Sequence, residues 1–170
     1  MSTPSTRLTA TTMSTPAGAF GLVVDDDGTV VAAGFCPVSD LARRLHDDVE
    51  VVDDLGAASR AMERYFAGEL TAFDVLPVRQ AGTPHQQAVW KALRDIPAGE
   101  TVTYGELTAR LGLPPGASRS VGSACGANLI APIVPCHRVV RTGGGLGGYY
   151  YGLPTKQWLL DHESSTARLL

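Results

Sequence analysis

A chain of 170 residues, 44% hydrophobic and 18% charged, has room for one large soluble domain or two small ones, and no apolar run approaches the ~20 residues that span a membrane. Three cysteines (Cys36, Cys125, Cys136) without a CxxC pair point to reduced thiols in a cytoplasmic setting and exclude a disulfide framework, and the four histidines lack metal-ligand spacing. The net charge of −3 speaks mildly against a nucleic-acid partner, but residues 1–80 carry 6 Arg and Lys against 12 Asp and Glu while residues 81–170 carry 8 against 5, so a polyanion would belong on the C-terminal half; ordinary surface variation is the alternative.

Residues 1–17 are rich in Ser and Thr and lack an apolar segment, so they read as a flexible leader, not a signal peptide, with Met13 a second candidate start. Two apolar runs between Phe20 and Phe35, separated by Asp25-Asp26-Asp27-Gly28, predict a β-hairpin. A short helix is expected over Ser39 to Leu45 and a longer one from Leu55 to Ala67, with Met62, Tyr65 and Phe66 on one face and Gly68 ending it. Phe73 to Val78 reads as extended, and the Gln80-Ala81-Gly82 break divides a scaffold domain (18–80) from a C-terminal domain (82–170).

In the C-terminal domain Thr83, Pro84 and Gln86 form a capping box at the head of a helix bearing Val89, Trp90 and Leu93, which ends at Ile96-Pro97-Ala98-Gly99. Thr103 and Glu106 form a second box, placing Tyr104 in the first turn of a helix with Leu107 and Leu111 on one face. After Pro114-Pro115-Gly116, a third helix over Ser118 to Gly126 is built almost wholly of small residues, with Arg119 its only long side chain. The pair fits a helix-turn-helix or a plain αα-corner. Small residues permit close approach to a groove, or tight packing inside the protein.

Ile133-Val134-Pro135-Cys136-His137-Arg138-Val139-Val140 places a thiol beside an imidazole within an apolar run that reads as one or two short buried strands. Such a thiol is either inert packing or a nucleophile tuned by a nearby base or cation. Neighbours on a strand point to opposite faces, so His137 reaches the sulfur only if the backbone turns or a water intervenes. Gly143 to Gly148 contains GxGxxG, but no helix opens after it, which argues against a dinucleotide site.

Pro135-Cys136-His137-Arg138-Val139-Val140, with the ordered motifs from about Thr83 to Glu163, resembles the O6-alkylguanine-DNA alkyltransferases. The resemblance implies an α/β (α+β) protein with a small ribonuclease H-like sheet-and-helix domain and a winged-helix-like helix-turn-helix domain. It implies repair of duplex DNA containing O6-alkylguanine, chiefly O6-methylguanine and also O4-alkylthymine, by stoichiometric transfer to Cys136 after the base is rotated out of the duplex. His137 becomes the base acting through water and Glu163 the carboxylate that orients it, with Asp161 a competing carboxylate. Tyr104 assists rotation and bonds the flipped base, Arg119 fills the gap, and Asn128 braces the turn before the active-site segment, a place where an ordinary helix cap would also fit. Pro135, Val139, Gly147 and Tyr149 belong to the alkyl pocket and its loop.

The chain departs from the family at Leu129, where proline is usual, and at Tyr150 and Tyr151, a bulky pair that would either narrow the pocket mouth or stack on a large alkyl group. The resemblance further implies no organic cofactor, a monomer able to bind DNA cooperatively, no membrane association and a place in the cytoplasm at the nucleoid. Some members carry a structural zinc; no ligand set for one is evident in this sequence. A non-catalytic lesion-binding relative would lack Cys136. A thiol hydrolase using Cys136, His137 and Glu163 would have no use for Arg119, and a plain regulator would need no tuned thiol.

Overall fold

The computed structural model describes residues 7–169, with side-chain environments as far as residue 164. The chain divides into two compact units, residues 1–80 and 81–170. Among the described residues no helix is long and apolar enough to cross a membrane.

The first unit is a four-stranded sheet with two helices. Strands β1 (Thr9–Thr15), β2 (Gly18–Val24) and β3 (Val30–Gly34) are antiparallel neighbours, and the two-residue β4 (Glu50–Val51) pairs in parallel with β1, giving the order β3-β2-β1-β4. The helices are α1 (Val38–Leu45) and α2 (Ala57–Phe66). The expected hairpin is the β2–β3 pair. At its turn the buried Asp25 carboxylate accepts the Asp27 and Thr29 amides at 2.9 and 3.0 Å and Arg79 Nη1 at 2.6 Å. Phe20, Leu22, Leu41, Met62, Tyr65 and Phe73 are fully buried and make its core. Gly21 is closely packed: a methyl there would stand 2.9 Å from Leu41 Cδ1 and 3.1 Å from the Cys36 carbonyl, so one of them would have to shift.

Two expectations fail in this unit. Residues 9–15, read as leader, form β1, an inner strand in which Met13 pairs with Phe20; residues 1–6 of that leader lie outside the described residues. The run Thr-Ala-Thr-Thr-Met-Ser-Thr is polar yet rich in β-branched threonine, and Leu8, Ala10 and Thr11 are buried. Phe73 to Val78 is not extended. Bonds from the Ala72, Asp74 and Leu76 amides to carbonyls three residues back make successive turns that bury Phe73 and Leu76 together, and only Val78 bridges to Val30.

The second unit carries α3 (Pro84–Arg94), β5 (Val102–Thr103), α4 (Tyr104–Arg110), α5 (Ser118–Gly126), β6 (Val139–Val140) and α6 (Leu153–Leu169). Both capping boxes form: the Gln86 and Glu106 amides bond Thr83 and Thr103 Oγ1 at 3.1 and 3.0 Å, and both side chains reach back to the cap amide. Each such cap stabilises its helix by about 1 kcal/mol. Trp90 Nε1 donates to the Ala124 carbonyl at 2.8 Å, tying α3 to the buried side of α5.

β5 and β6 pair in parallel, Val102 with Val139 and Thr103 with Val140. Through this short ladder the cap of α4, and so Tyr104, is fixed against the segment that follows Cys136. The apolar run 133–140 is not a continuous strand. Its backbone turns through Ile133 and forms a 3₁₀ turn at Cys136–Arg138 before β6, with the Arg138 amide bonded to the Pro135 carbonyl at 3.0 Å.

Candidate active site

The 3₁₀ turn decides how thiol and imidazole are disposed. Cys136 is half-buried on the wall of a cavity of about 310 Å³, also lined by Tyr104, Gly122, Cys125, Asn128 and Tyr151. His137, the next residue, is wholly buried behind it. His137 Nε2 meets Glu163 Oε2 at 2.8 Å, and among the described residues Nδ1 has no protein partner.

Glu163 is itself clamped. Arg138 donates through Nε to Oε1 and through Nη2 to Oε2, both at 2.9 Å, and through Nη1 to the Ile96 carbonyl at 2.6 Å. Burial would raise the Glu163 pKa, but the imidazole and the guanidinium together hold it well below the usual carboxylate range. His137 is lowered, because burial and the nearby Arg138 and Lys156 charges outweigh the pull of Glu163. The pair therefore rests as carboxylate and neutral imidazole. With Nε2–H donating to Glu163, the lone pair sits on Nδ1, which makes His137 a base. Asp161, the competing carboxylate, is exposed and accepts Gln157 Nε2 at 2.9 Å.

The thiol is held as a thiol. Burial pushes the Cys136 pKa up, while the Asn128 amide and the Lys156 charge oppose it without reversing the shift. Asn128 Nδ2 donates to the Val134 carbonyl at 2.7 Å and lies 3.4 Å from Cys136 Sγ, and its Oδ1 accepts the Ile130 amide at 3.0 Å. One buried amide thus fixes the turn before Cys136 and touches the sulfur. These bonds form with Leu129 in the place of proline. Cys125, on the same cavity, is pushed up to about 12 by burial and is an inert neighbour.

Tyr104 lines the same cavity, its phenol raised in pKa by burial and the two thiols and so kept protonated as a donor. Its ring lies against α5: a methyl at Gly122 would meet Cδ1 and Cε1 at 3.8 Å. Arg119 is exposed on the first turn of α5, and Ser120, Ser123 and Gly126 of the same helix are exposed with it. An internal helix is excluded, and the outward surface of α5 consists of small side chains and one arginine.

Not every residue expected in the pocket lines it. Pro135 and Val139 are buried behind the wall, Val139 because β6 turns it into the core, and Gly147 sits one residue outside the lining. Gly147 is nonetheless required, since its φ is +76° and a methyl there would stand 3.1 Å from Tyr104 Cε2. Tyr149, Tyr150 and Tyr151 all line the mouth, with edge-to-face ring contacts at 5.7 Å (Tyr149–Tyr151) and 4.9 Å (Tyr150–Tyr151).

Two residues of the site have no counterpart in the sequence reading. Arg138 was visible only as an arginine inside an apolar run, a cation that burial obliges to find a carboxylate. Lys156 is fully buried in the first turns of α6, where Nζ donates to the carbonyls of Leu146 at 2.5 Å, Val139 at 2.7 Å and Gly148 at 3.2 Å, pinning the glycine loop. No local signal marks it. Among the described residues no group of three or more His, Cys, Asp or Glu could hold a metal ion.

A family model described as "6-O-methylguanine DNA methyltransferase, DNA binding domain" matches residues 84–165. A methylated-DNA-protein-cysteine methyltransferase of Salmonella typhimurium is 41% identical over 165 residues, covering 92% of this chain and 96% of that protein. A protein of the same description from Mycobacterium tuberculosis is 54% identical over 118 residues, 67% of this chain and 70% of that one. Among solved structures, Mycobacterium tuberculosis OGT in complex with DNA superposes with a TM-score of 0.81 at 39% identity, covering 92% and 93% of the two chains. The O6-methylguanine-DNA methyltransferase of Pyrococcus kodakaraensis does so with a TM-score of 0.72 at 26% identity, covering 91% and 98%.

Proposed function

Because this chain belongs to the methylated-DNA-protein-cysteine methyltransferase family, we propose that it repairs DNA by moving an alkyl group, chiefly methyl, from O6 of guanine to Cys136. The observation that carries the acceptor assignment is the linked set at the cavity: Cys136 on the wall, neutral His137 beside it, and Glu163 locked onto His137 by Arg138.

In this reading a base rotated out of the duplex enters the cavity, because its O6 substituent is out of reach while stacked. The Cys136 proton passes through a water to His137 Nδ1, which compensates for a thiol whose own pKa is too high to ionise at neutral pH. Sulfur attacks the alkyl carbon, the S–C bond forms as the C–O6 bond breaks, and the departing guanine takes up one proton. Tyr104, a protonated phenol on the cavity wall, donates to the flipped base. Arg119 enters the space the base has left, and the small outward side chains of α5 let the helix approach the groove. The thioether has no route back to a thiol, so each molecule acts once, on O6-alkylguanine and also on O4-alkylthymine, and it acts as a monomer on duplex DNA in the cytoplasm, at the nucleoid. No organic cofactor takes part.

The test is intact mass after incubation with a duplex carrying one O6-methylguanine. A single methyl gained, saturating at one equivalent and missing from Cys136→Ser, is the expected result. Tight binding of the lesion duplex without any mass gain would sink the transfer reading.

A further inference from the structure

Among the described residues three cations lie near the groups of the site, and two are committed: Arg138 to Glu163, and Lys156 to three carbonyls. The third is Arg141, the residue after β6. It is exposed, and among the described residues its guanidinium has no hydrogen-bond or ion-pair partner.

Its backbone, by contrast, is fixed. The Arg141 amide donates to the Gly145 carbonyl at 2.9 Å, closing the turn over Gly143 and Gly144. A methyl at Gly145 would stand 3.6 Å from Arg141 Cδ, and one at Gly147 would stand 3.6 Å from Arg141 Cγ and 3.1 Å from Tyr104 Cε2. The arginine stem and the tyrosine ring therefore meet over the same glycine, at the rim of the cavity whose wall Tyr104 forms. The charge is near enough to oppose in part the rise that burial and the two thiols give the Tyr104 pKa. Gly143 and Gly144, the two residues inside that turn, are exposed as Arg141 is, so the turn stands at the surface.

An extruded nucleotide brings its flanking phosphates to the mouth of the pocket that takes its base. We propose that Arg141 is a phosphate clamp, binding the backbone phosphate beside the extruded nucleotide and so positioning the base over Cys136. The proposal rests on the base-flipping reading above. A planar guanidinium carried beside the glycine loop suits a two-oxygen grip on phosphate.

The experiment compares wild type with Arg141→Gln, which keeps most of the stem, and Arg141→Lys, which keeps the charge. Two rates are measured: methyl transfer from a duplex with one O6-methylguanine across a salt series, and carboxamidomethylation of Cys136 by iodoacetamide, read on its own peptide. The clamp predicts that R141Q transfers about tenfold more slowly at ~0.1 M salt with a log rate–log salt slope shallower by about one unit. R141K should recover most of the rate, and iodoacetamide reactivity should stay within about twofold in all three proteins. An unchanged transfer rate and salt slope in R141Q would overturn the clamp, and so would a matching loss of iodoacetamide reactivity, which would assign Arg141 to loop structure alone. A wild type that gains no methyl would overturn the repair reading itself.

Discussion

Arg138 and Glu163 face each other through two parallel hydrogen bonds of 2.9 Å, one to each carboxylate oxygen. Such a fork fixes both the charge and the plane of the carboxylate, and His137 Nε2 then meets an oxygen that is already oriented. The chemistry of Cys136 is thus arranged from behind, by a residue that never faces the cavity.

Replacing Glu163 by Gln separates charge from shape. The amide nearly fills the carboxylate's volume but leaves the buried Arg138 guanidinium without its counter-ion, which costs about 3–5 kcal/mol of stability. It also frees the imidazole to change tautomer, and loss of an oriented base lowers a proton-transfer step by about a hundredfold or more. Urea unfolding and single-turnover methyl transfer on the folded variant measure the two effects. A variant that keeps the wild-type transfer rate would show that His137 needs no carboxylate.

The pH dependence follows from the depressed pKa of His137. A base with an ordinary imidazole pKa of 6.5 would be half protonated there, whereas His137 stays neutral to lower pH, so transfer should hold from pH 8 through 6.5 and fall only below. Stability has the same sign. Both His137 and Glu163 are depressed in the fold, so their contribution is complete above the unfolded-state pKa of each and is lost as pH falls, first through imidazole protonation and then through the carboxylate. Urea midpoints at pH 7.5, 6 and 5 should drop stepwise with an unchanged m-value. A midpoint that rises toward pH 5 would contradict the neutral assignment of His137.

Lys156 tests the loop. Lys156→Met keeps the apolar stem but strips the carbonyls of Val139, Leu146 and Gly148 of their shared donor, at about 1–3 kcal/mol for each group left buried and unpaired. Amide exchange should quicken across residues 146–149 while α3 keeps its protection. Transfer should slow as well, since the ammonium is one of the groups that favour the Cys136 thiolate. Exchange in the loop that matches wild type would show that the glycines hold their shape unaided.

What could be read in the sequence was local. The capping boxes at Thr83 and Thr103, the Asp-Gly hairpin turn and the end of α2 at Gly68 depend on residues within four positions of one another, and all of them form. The adjacency of Cys136 and His137 was equally plain, but their arrangement was not. An apolar run looks like a strand whether or not it turns, and the turn at Cys136 is braced from outside by Asn128 and, through Arg138, by Glu163. Lys156 is not legible in the sequence because lysine is ordinarily solvated, and only the convergence of β6 with the glycine loop creates three carbonyls for it. Residues 9–15 were lost for the opposite reason, a polar composition that hides a strand until its partners are known.

The two choices left open for Tyr150 and Tyr151 differ in outcome, and the ring geometry favours a narrowed mouth. Tyr151 is half-buried and held edge-to-face by Tyr149 on one side and Tyr150 on the other, so swinging it aside for a large substituent breaks two ring contacts worth about 0.5–1.5 kcal/mol each. Tyr151→Gly should therefore raise the rate for O6-benzylguanine in a duplex about tenfold relative to O6-methylguanine, the scale at which apolar pockets discriminate by size. Competition between the two duplexes, read as the mass added to Cys136, measures the ratio directly. A fall in the benzyl-to-methyl ratio would mean that the tyrosine stacks on the larger group and that the mouth selects for it.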